Sequence, residues 1–542
     1  MGSVGRGVAW VTKVSARAAR GLVTIAALLA VTAPIDGYGK VRAARRFRRA
    51  MERKPVVAEV SHRGKAPLVR RGVAVALVAV VAGALSPVPA VAAPGSEAWA
   101  QRHEGALKFG EGARAVAVSP DGSTVFVTGG AADQGIEQFV EDNFRLNYVT
   151  VAYDADRGDL LWEATYRGPG GYDEPLALAV SPDGSKVFVT GYSRGKGERP
   201  TTDHATVAYD AASGEQLWAR RYAAGGEGGA LAIEVGPDGS TVFVTGVGEV
   251  KSASYDYVTI AYSAGRGKRL WLRRFGGRGS DAARSLAVSP DGSKVFVTGS
   301  SQVSRRRTER DYSTIAYRAQ DGRRLWMTRY RGWSGHAESV AVTPDGSRVV
   351  VTGSTSDSDE QSRFTTVVYS PRSGRQLWVA HHKSASGAYA ESLALSPDGS
   401  KVFVTGWMMH VADNWDYGTV AYRASTGVRL WKARYDNGSF DGASSAVVSP
   451  DGSTLYVTGS SQSLASRSDY ATVAYRASDG SPRWVSRHDG RLRGGYDGAT
   501  DIAVRSDGSK VFVTGASDAL TKRATLGRLN RYSFETVAYD TR

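Results

Sequence analysis

Beyond about residue 112 the chain alternates small apolar and polar positions over short runs broken by tight-turn residues, with no long stretch of helical period. The phrase Ser-Pro-Asp-Gly-Ser, followed by a run ending in Val-Thr-Gly, begins at Ser119, Ser181, Ser289, Ser396 and Ser449, and variants begin at Gly236, Thr343 and Arg505. Successive starts lie 62, 55, 53, 54, 53, 53 and 56 residues apart. Eight copies of one unit therefore fill the chain, and a fixed period of this size is the mark of a repeat architecture.

Each copy predicts four strands. In the second, Leu176-Ala177-Leu178-Ala179-Val180 forms an inner strand and Pro-Asp-Gly makes the tight turn into Lys186-Val187-Phe188-Val189-Thr190. A variable loop leads to Thr206-Val207-Ala208-Tyr209, and a turn through Gly214 leads to a fourth strand carrying Trp218. Eight antiparallel four-stranded units predict an all-β, eight-bladed β-propeller over residues 93–542. The eighth copy stops at Thr536-Val537-Ala538-Tyr539-Asp540, after its third strand, whereas Ala98-Trp99-Ala100-Gln101-Arg102-His103-Glu104-Gly105 resembles the fourth strands. The N-terminal strand of the mature chain is thus expected to complete the last blade and leave no open edge.

Charge changes the picture only at the N-terminus. The formal net charge is +16, but residues 1–92 hold 16 Lys and Arg against 3 Asp and Glu, leaving 53 basic and 50 acidic residues in the remainder. The basicity belongs to the leader, so no nucleic-acid partner is inferred. Within it, Lys65, Arg70 and Arg71 precede the apolar run Gly72–Leu85, and Ala90-Val91-Ala92 gives a small-x-small cleavage pattern. Residues 65–92 read as a signal peptide cleaved near Ala92, which places the mature chain outside the cytoplasm. Residues 1–64 read as an N-terminal extension or as an over-called start with initiation near Met51. No later run reaches the ~20 apolar residues of a membrane-spanning helix, and a monomer is expected. The absence of cysteine excludes disulfides, thiolate metal sites and covalent haem attachment.

The stretch Ala152-x-Asp154-x-x-x-Gly158-x-x-x-Trp162 resembles the tryptophan-docking repeat of quinoprotein-dehydrogenase-like propellers. The spacing recurs at Ala208, Gly214 and Trp218, at Ala261, Gly267 and Trp271, and at Ala316, Gly322 and Trp326. Val368, Gly374 and Trp378, then Ala421, Gly427 and Trp431, then Ala474, Gly480 and Trp484 complete the series. The Ser-Pro-Asp-Gly half also resembles YVTN-type and SBBP-type repeats of secreted bacterial propellers. This resemblance implies a fold and is nearly silent on function. Catalytic quinoproteins would be expected to bring vicinal cysteines and a dedicated calcium set, so no cofactor residue is carried over, and no catalytic residue, cofactor or metal ligand is assigned.

The recurring residues read as structure: the tryptophans as core, and Asp256-Tyr257, Asp311-Tyr312, Asp416-Tyr417 and Asp469-Tyr470 as caps before third strands. Glu111, Asp173, Asp281, Asp441 and Asp497, at the entries of first strands, read as loop caps, with cation binding at a channel mouth as the alternative. Asp154–Asp159 reads as an ordinary blade turn rather than a calcium loop, and His381-His382 as a poor chelating pair. The non-repeating residues are better candidates for binding. The variable loop of blade one offers Asp133, Glu137, Phe139, Glu141 and Asp142; blade four offers Arg305, Arg306 and Arg307; blade five offers Asp357, Asp359 and Glu360. Blade six offers Trp407, Met408, Met409, His410 and Trp415, expected to form an exposed contact loop. The expected function is an exported, non-catalytic binding or scaffold protein that uses the loop-rich face for a protein, glycan or cell-envelope ligand. The alternative is a small-molecule enzyme, a quinoprotein-like oxidoreductase or a hydrolase or lyase, with its site in the central channel.

Overall fold

A computed structural model describes residues 93–542 except 104–111, 133–144, 197–200, 252–253, 278, 303–308, 333, 357–360, 385, 412–413, 464–466, 491–494 and 519–531. The leader, Glu111, Arg305, Arg306, Arg307, and the singled-out loop residues of blades one and five lie outside the described residues. The described residues belong to one unit, Pro87–Arg542. They form eight four-stranded antiparallel sheets, seven built from consecutive strands. Blades one to seven span Gly112–Tyr166, Asp173–Tyr222, Gly228–Phe275, Asp281–Tyr330, Gly335–His382, Gly387–Tyr435 and Asp441–His488.

The eighth blade joins the two ends of the propeller. Three strands, Gly498–Val504, Lys510–Asp518 and Tyr532–Asp540, are completed by Glu97–His103. The added strand pairs antiparallel from Trp99 opposite Ala538 to His103 opposite Phe534. The ring is closed as the missing fourth strand predicted.

Local chemistry accounts for each part of the repeat. In the Ser-Pro-Asp-Gly-Ser turn, Asp121 accepts from the Ser119 hydroxyl and from the amide and hydroxyl of Ser123. The equivalent bonds from Ser181 and Ser185 hold Asp183 down at about 2. Gly122 follows with φ of +76°, a conformation that side chains with a Cβ avoid. The threonine of Val-Thr-Gly is buried and meets a threonine of the third strand, as at Thr190 and Thr206, 3.0 Å apart. The glycine has a different cause. Each inner strand is bulged, and a Cβ at Gly191 would lie 2.0 Å from the Glu174 carbonyl oxygen.

The tryptophans lock each blade to the next. Trp162 is 8% exposed, its indole N–H donates to the Ala211 carbonyl at 2.9 Å, and its ring lies over Gly214 of blade two. Trp99 repeats this contact on Ala155 and Gly158 of blade one, and Gly95 packs against Trp484 of blade seven. The strand from the other end of the chain therefore seals the eighth blade on both sides. The Asp-Tyr pairs lie within the third strands rather than before them, and Tyr257, Tyr312, Tyr417 and Tyr470 are fully buried.

Candidate binding site at the rim of blades six and seven

The blade-six candidates stand on strands, not in a loop. The second strand continues through Lys401–Val411 and the third begins at Asn414, so that Trp407 faces Tyr417, Met408 faces Asp416 and Met409 faces Trp415, the register shifting only between Met409 and Val411. The expectation of an exposed contact loop is corrected accordingly. Adjacent side chains on a strand point to opposite faces, and the contacts follow that rule. Met408 is 8% exposed and packs into the core shared with Val350 and Phe364 of blade five. Trp407 turns toward blade seven, where its indole N–H donates to the Ala443 carbonyl at 3.1 Å. Met408 is thus a core residue, while Met409 and Trp415 are half-buried and His410 is exposed.

The structure adds two aromatic rings that sequence reasoning missed. Tyr389, on the inner strand of blade six, lies 5.6 Å from Trp415; Trp415 meets Trp407 edge-on at 6.3 Å; Trp407 meets Phe440, in the connection to blade seven, edge-on at 5.6 Å. Four rings from four chain segments form a continuous row across a blade boundary, in tilted and edge geometries that aromatic quadrupoles favour. Tyr389 is 41% exposed at one end. The sequence signal for it was its departure from the repeat, because the equivalent positions are Gly112, Glu174, Gly229, Ala282, His336, Gly442 and Gly498.

Carboxylates border this row. Asp416 and Asp441 are fully buried. Asp441 caps the incoming connection by accepting from the Asn437 amide at 2.7 Å. Burial, offset in part by that bond and by Ser461 and reinforced by Asp436 and Asp416, pushes its carboxyl up to about 6. Asp173, Asp281 and Asp497 cap their connections in the same way, through the amides of Gly168, Gly277 and Gly490. His381 and His382 diverge: His382 is buried, and His381 is exposed with its Nε2 3.1 Å from the Tyr330 hydroxyl.

The inner strands bear charges tied to the ring itself. Arg114 of blade one meets Glu174 of blade two at 2.6 Å, and Arg284 of blade four approaches Glu338 of blade five at 4.0 Å. Asp501 accepts from the Val116 amide and the Ser445 hydroxyl, on the blades to either side. Glu234 accepts from the Val288 amide of the next blade at 2.9 Å, and burial pushes its carboxyl up to about 7. Asp501 and Glu234 thus satisfy inner-strand amides of a neighbouring blade, and the two Arg–Glu contacts likewise cross between blades.

Residues 86–227, 145–302 and 256–406 each match the PQQ-like repeat family described as outer membrane protein assembly factor BamB, and together they span more than half of the chain. The chain belongs to this PQQ-like repeat family. No curated protein matches it. Among solved structures, the PQQ-like chain is similar to Sqt1 from Chaetomium thermophilum, at 13% identity over 80% of this chain and 96% of that one, with a TM-score of 0.51. It is also similar to BamB from Moraxella catarrhalis, at 13% identity, 82% and 99% coverage and a TM-score of 0.45. Quinohemoprotein alcohol dehydrogenase from Comamonas testosteroni follows at 10% identity, 82% and 76% coverage and a TM-score of 0.48. At such identities the likeness is one of fold. No helix among the described residues of this PQQ-like chain is long and apolar enough to cross a membrane.

Proposed function

We propose that this chain is an exported, non-catalytic scaffold that docks a partner protein on the rim of blades six and seven. The carrying observation is the row Tyr389, Trp415, Trp407 and Phe440, which departs from the repeat and ends in an exposed ring. Aromatic anchors beside polar groups are the composition of protein contact sites, where a few such residues supply most of the binding energy. The family description, an outer membrane protein assembly factor, supports a protein ligand over a small molecule. The basic and apolar run before Ala92 supports export.

The test is site-specific photo-crosslinking in the native host. A photoreactive residue at Tyr389 or Trp415 is expected to capture one defined protein, and one at Asp345, on the opposite Pro-Asp-Gly turns, is not. Pairing Tyr389→Ala with Trp415→Ala should weaken capture from a neighbouring crosslinker at His410 by at least tenfold. Equal capture from both faces, or an unchanged adduct in the double variant, would overturn the assignment.

A further inference from the structure

The carboxylates beside the aromatic row do more than cap a connection. Asp416 on the third strand of blade six, Asp436 in the connection, and Asp441 at the start of blade seven each bring an oxygen within 4.8 Å of the others. The residue that follows the fourth strand is Arg167 in blade one, Arg331 in blade four and Lys383 in blade five, but Asp436 here. Charge at this place is therefore reversed relative to those blades.

The local balance of charge is incomplete. Arg434 contacts Asp416, its Nε 2.6 Å from Oδ2, and also reaches Asp436. One guanidinium faces three carboxylates. Asp416 is fully buried, and its Oδ1 receives no hydrogen bond. An oxygen stripped of water and left without a donor is costly unless a cation supplies what water would have given. Calcium binds oxygens at about 2.3–2.6 Å, so two ligands on one ion lie at most roughly 5 Å apart. The three oxygens fit within a single coordination sphere. An all-oxygen set in irregular geometry suits calcium better than magnesium, which demands a near-ideal octahedron, or the softer transition metals.

We propose that Asp416, Asp436 and Asp441 form a calcium site that ties blade six to blade seven at the rim. The ion supplies two positive charges against the three carboxylates, and Arg434, which contacts Asp416 and Asp436, supplies the third. By fixing the connection Asp436–Asp441 it also fixes Phe440 beneath Trp407. Blade seven carries a similar set in Asp469, Asp489 and Asp497, so the count of bound ions must be read by difference.

The experiment is calcium titration of the purified, chelator-stripped protein by calorimetry to about 10 mM, above the ~0.1–1 mM range of extracellular calcium modules. Terbium luminescence, excited through nearby tryptophan and tyrosine, provides a second reading. Wild type is expected to bind calcium saturably and to melt at a higher temperature with it. Asp436→Asn should bind one ion fewer per chain, melt like wild type in chelator, and lose part of the calcium-induced rise. Asp436→Ser gives the same comparison if the asparagine variant folds poorly. No saturable calcium or terbium binding by wild type, or an unchanged ion count in both variants, would overturn the site.

Discussion

Substituting Trp99 tests ring closure directly, because this side chain joins the N-terminal strand to blade one. It is 8% exposed, donates to the Ala155 carbonyl at 3.2 Å, packs 5.7 Å from Phe512 and 6.1 Å from Tyr153, and covers Gly158. Burying an aromatic side chain removes about 150–250 Å² from water, worth roughly 4–6 kcal/mol at about 25 cal/mol per Å² as an upper bound. Measured Trp→Ala costs of about 3–5 kcal/mol agree. Trp99→Ala should therefore cost about 4 kcal/mol. For the roughly 390 described residues the unfolding entropy is about 0.8 kcal/mol per degree, so Tm should fall by about 5 °C. Gly158→Ala probes the same contact from the other side, since its φ is +76° and a Cβ would lie 2.7 Å from the Trp99 ring. It should cost at least about 2 kcal/mol. Because the clash requires the indole, the double variant must lose less than the sum of the single losses. Chemical denaturation of all four proteins reads this cycle. Strict additivity, or a Trp99→Ala cost below about 1 kcal/mol, would refute the docking argument.

Other consequences are equally open to measurement. Burial opposes a charge on His488, but Glu535 and Glu97 outweigh it and raise the imidazole to about 10. Its folded value exceeds the unfolded ~6.5, so this stabilisation is complete below about pH 6.5 and lost as pH rises through about 10. His488→Gln should flatten the Tm profile across that window, and an unchanged slope would contradict it. Glu234→Gln keeps an acceptor for the Val288 amide and removes a buried charge. Its folded value of about 7 lies above the unfolded one, so the variant should equal or exceed wild type by on the order of 2 kcal/mol near pH 8 and lose that advantage below about pH 4. Glu234→Ala, which orphans the amide, should be less stable than Glu234→Gln by about 1–3 kcal/mol in denaturant titrations. Met408→Ala should cost about 2–4 kcal/mol, because the side chain fills the core shared with blade five. Trp415→Ala should cost distinctly less and act chiefly on partner capture.

Blade count, strand order and ring closure were legible because they rest on local chemistry. Alternating residues define a strand, Pro-Asp-Gly defines a turn, and a truncated eighth copy advertises its missing strand at the other terminus. The reason for the recurring Val-Thr-Gly was not legible. Gly191 is required because the Glu174 carbonyl lies across the bulge, a contact that exists only once the sheet forms. The rim was half legible. Trp407 and Trp415 stood out by composition, but a run of aromatic and sulfur side chains was read as loop where strand pairing continues to Val411 and Asn414. Tyr389 and Phe440 join them only through folding, since they enter from the inner strand and from the next blade's connection. Asp501 and Glu234 could not be assigned because each reaches an amide on a different blade.

The composite eighth blade also bears on the order of events during synthesis. The Glu97–His103 strand is made first, yet its ladder partner at Phe534–Tyr539 follows more than four hundred residues later. At roughly 5–20 residues per second, the early strand waits on the order of half a minute or longer. Blades one to seven are each contiguous and can pair as they emerge, growing an open arc in sequence order. Until the last strand arrives, Glu97–His103 remains an unpaired edge, competent to pair with another chain. Loss of the C-terminal strand should accordingly convert a self-contained ring into a chain prone to associate end to end.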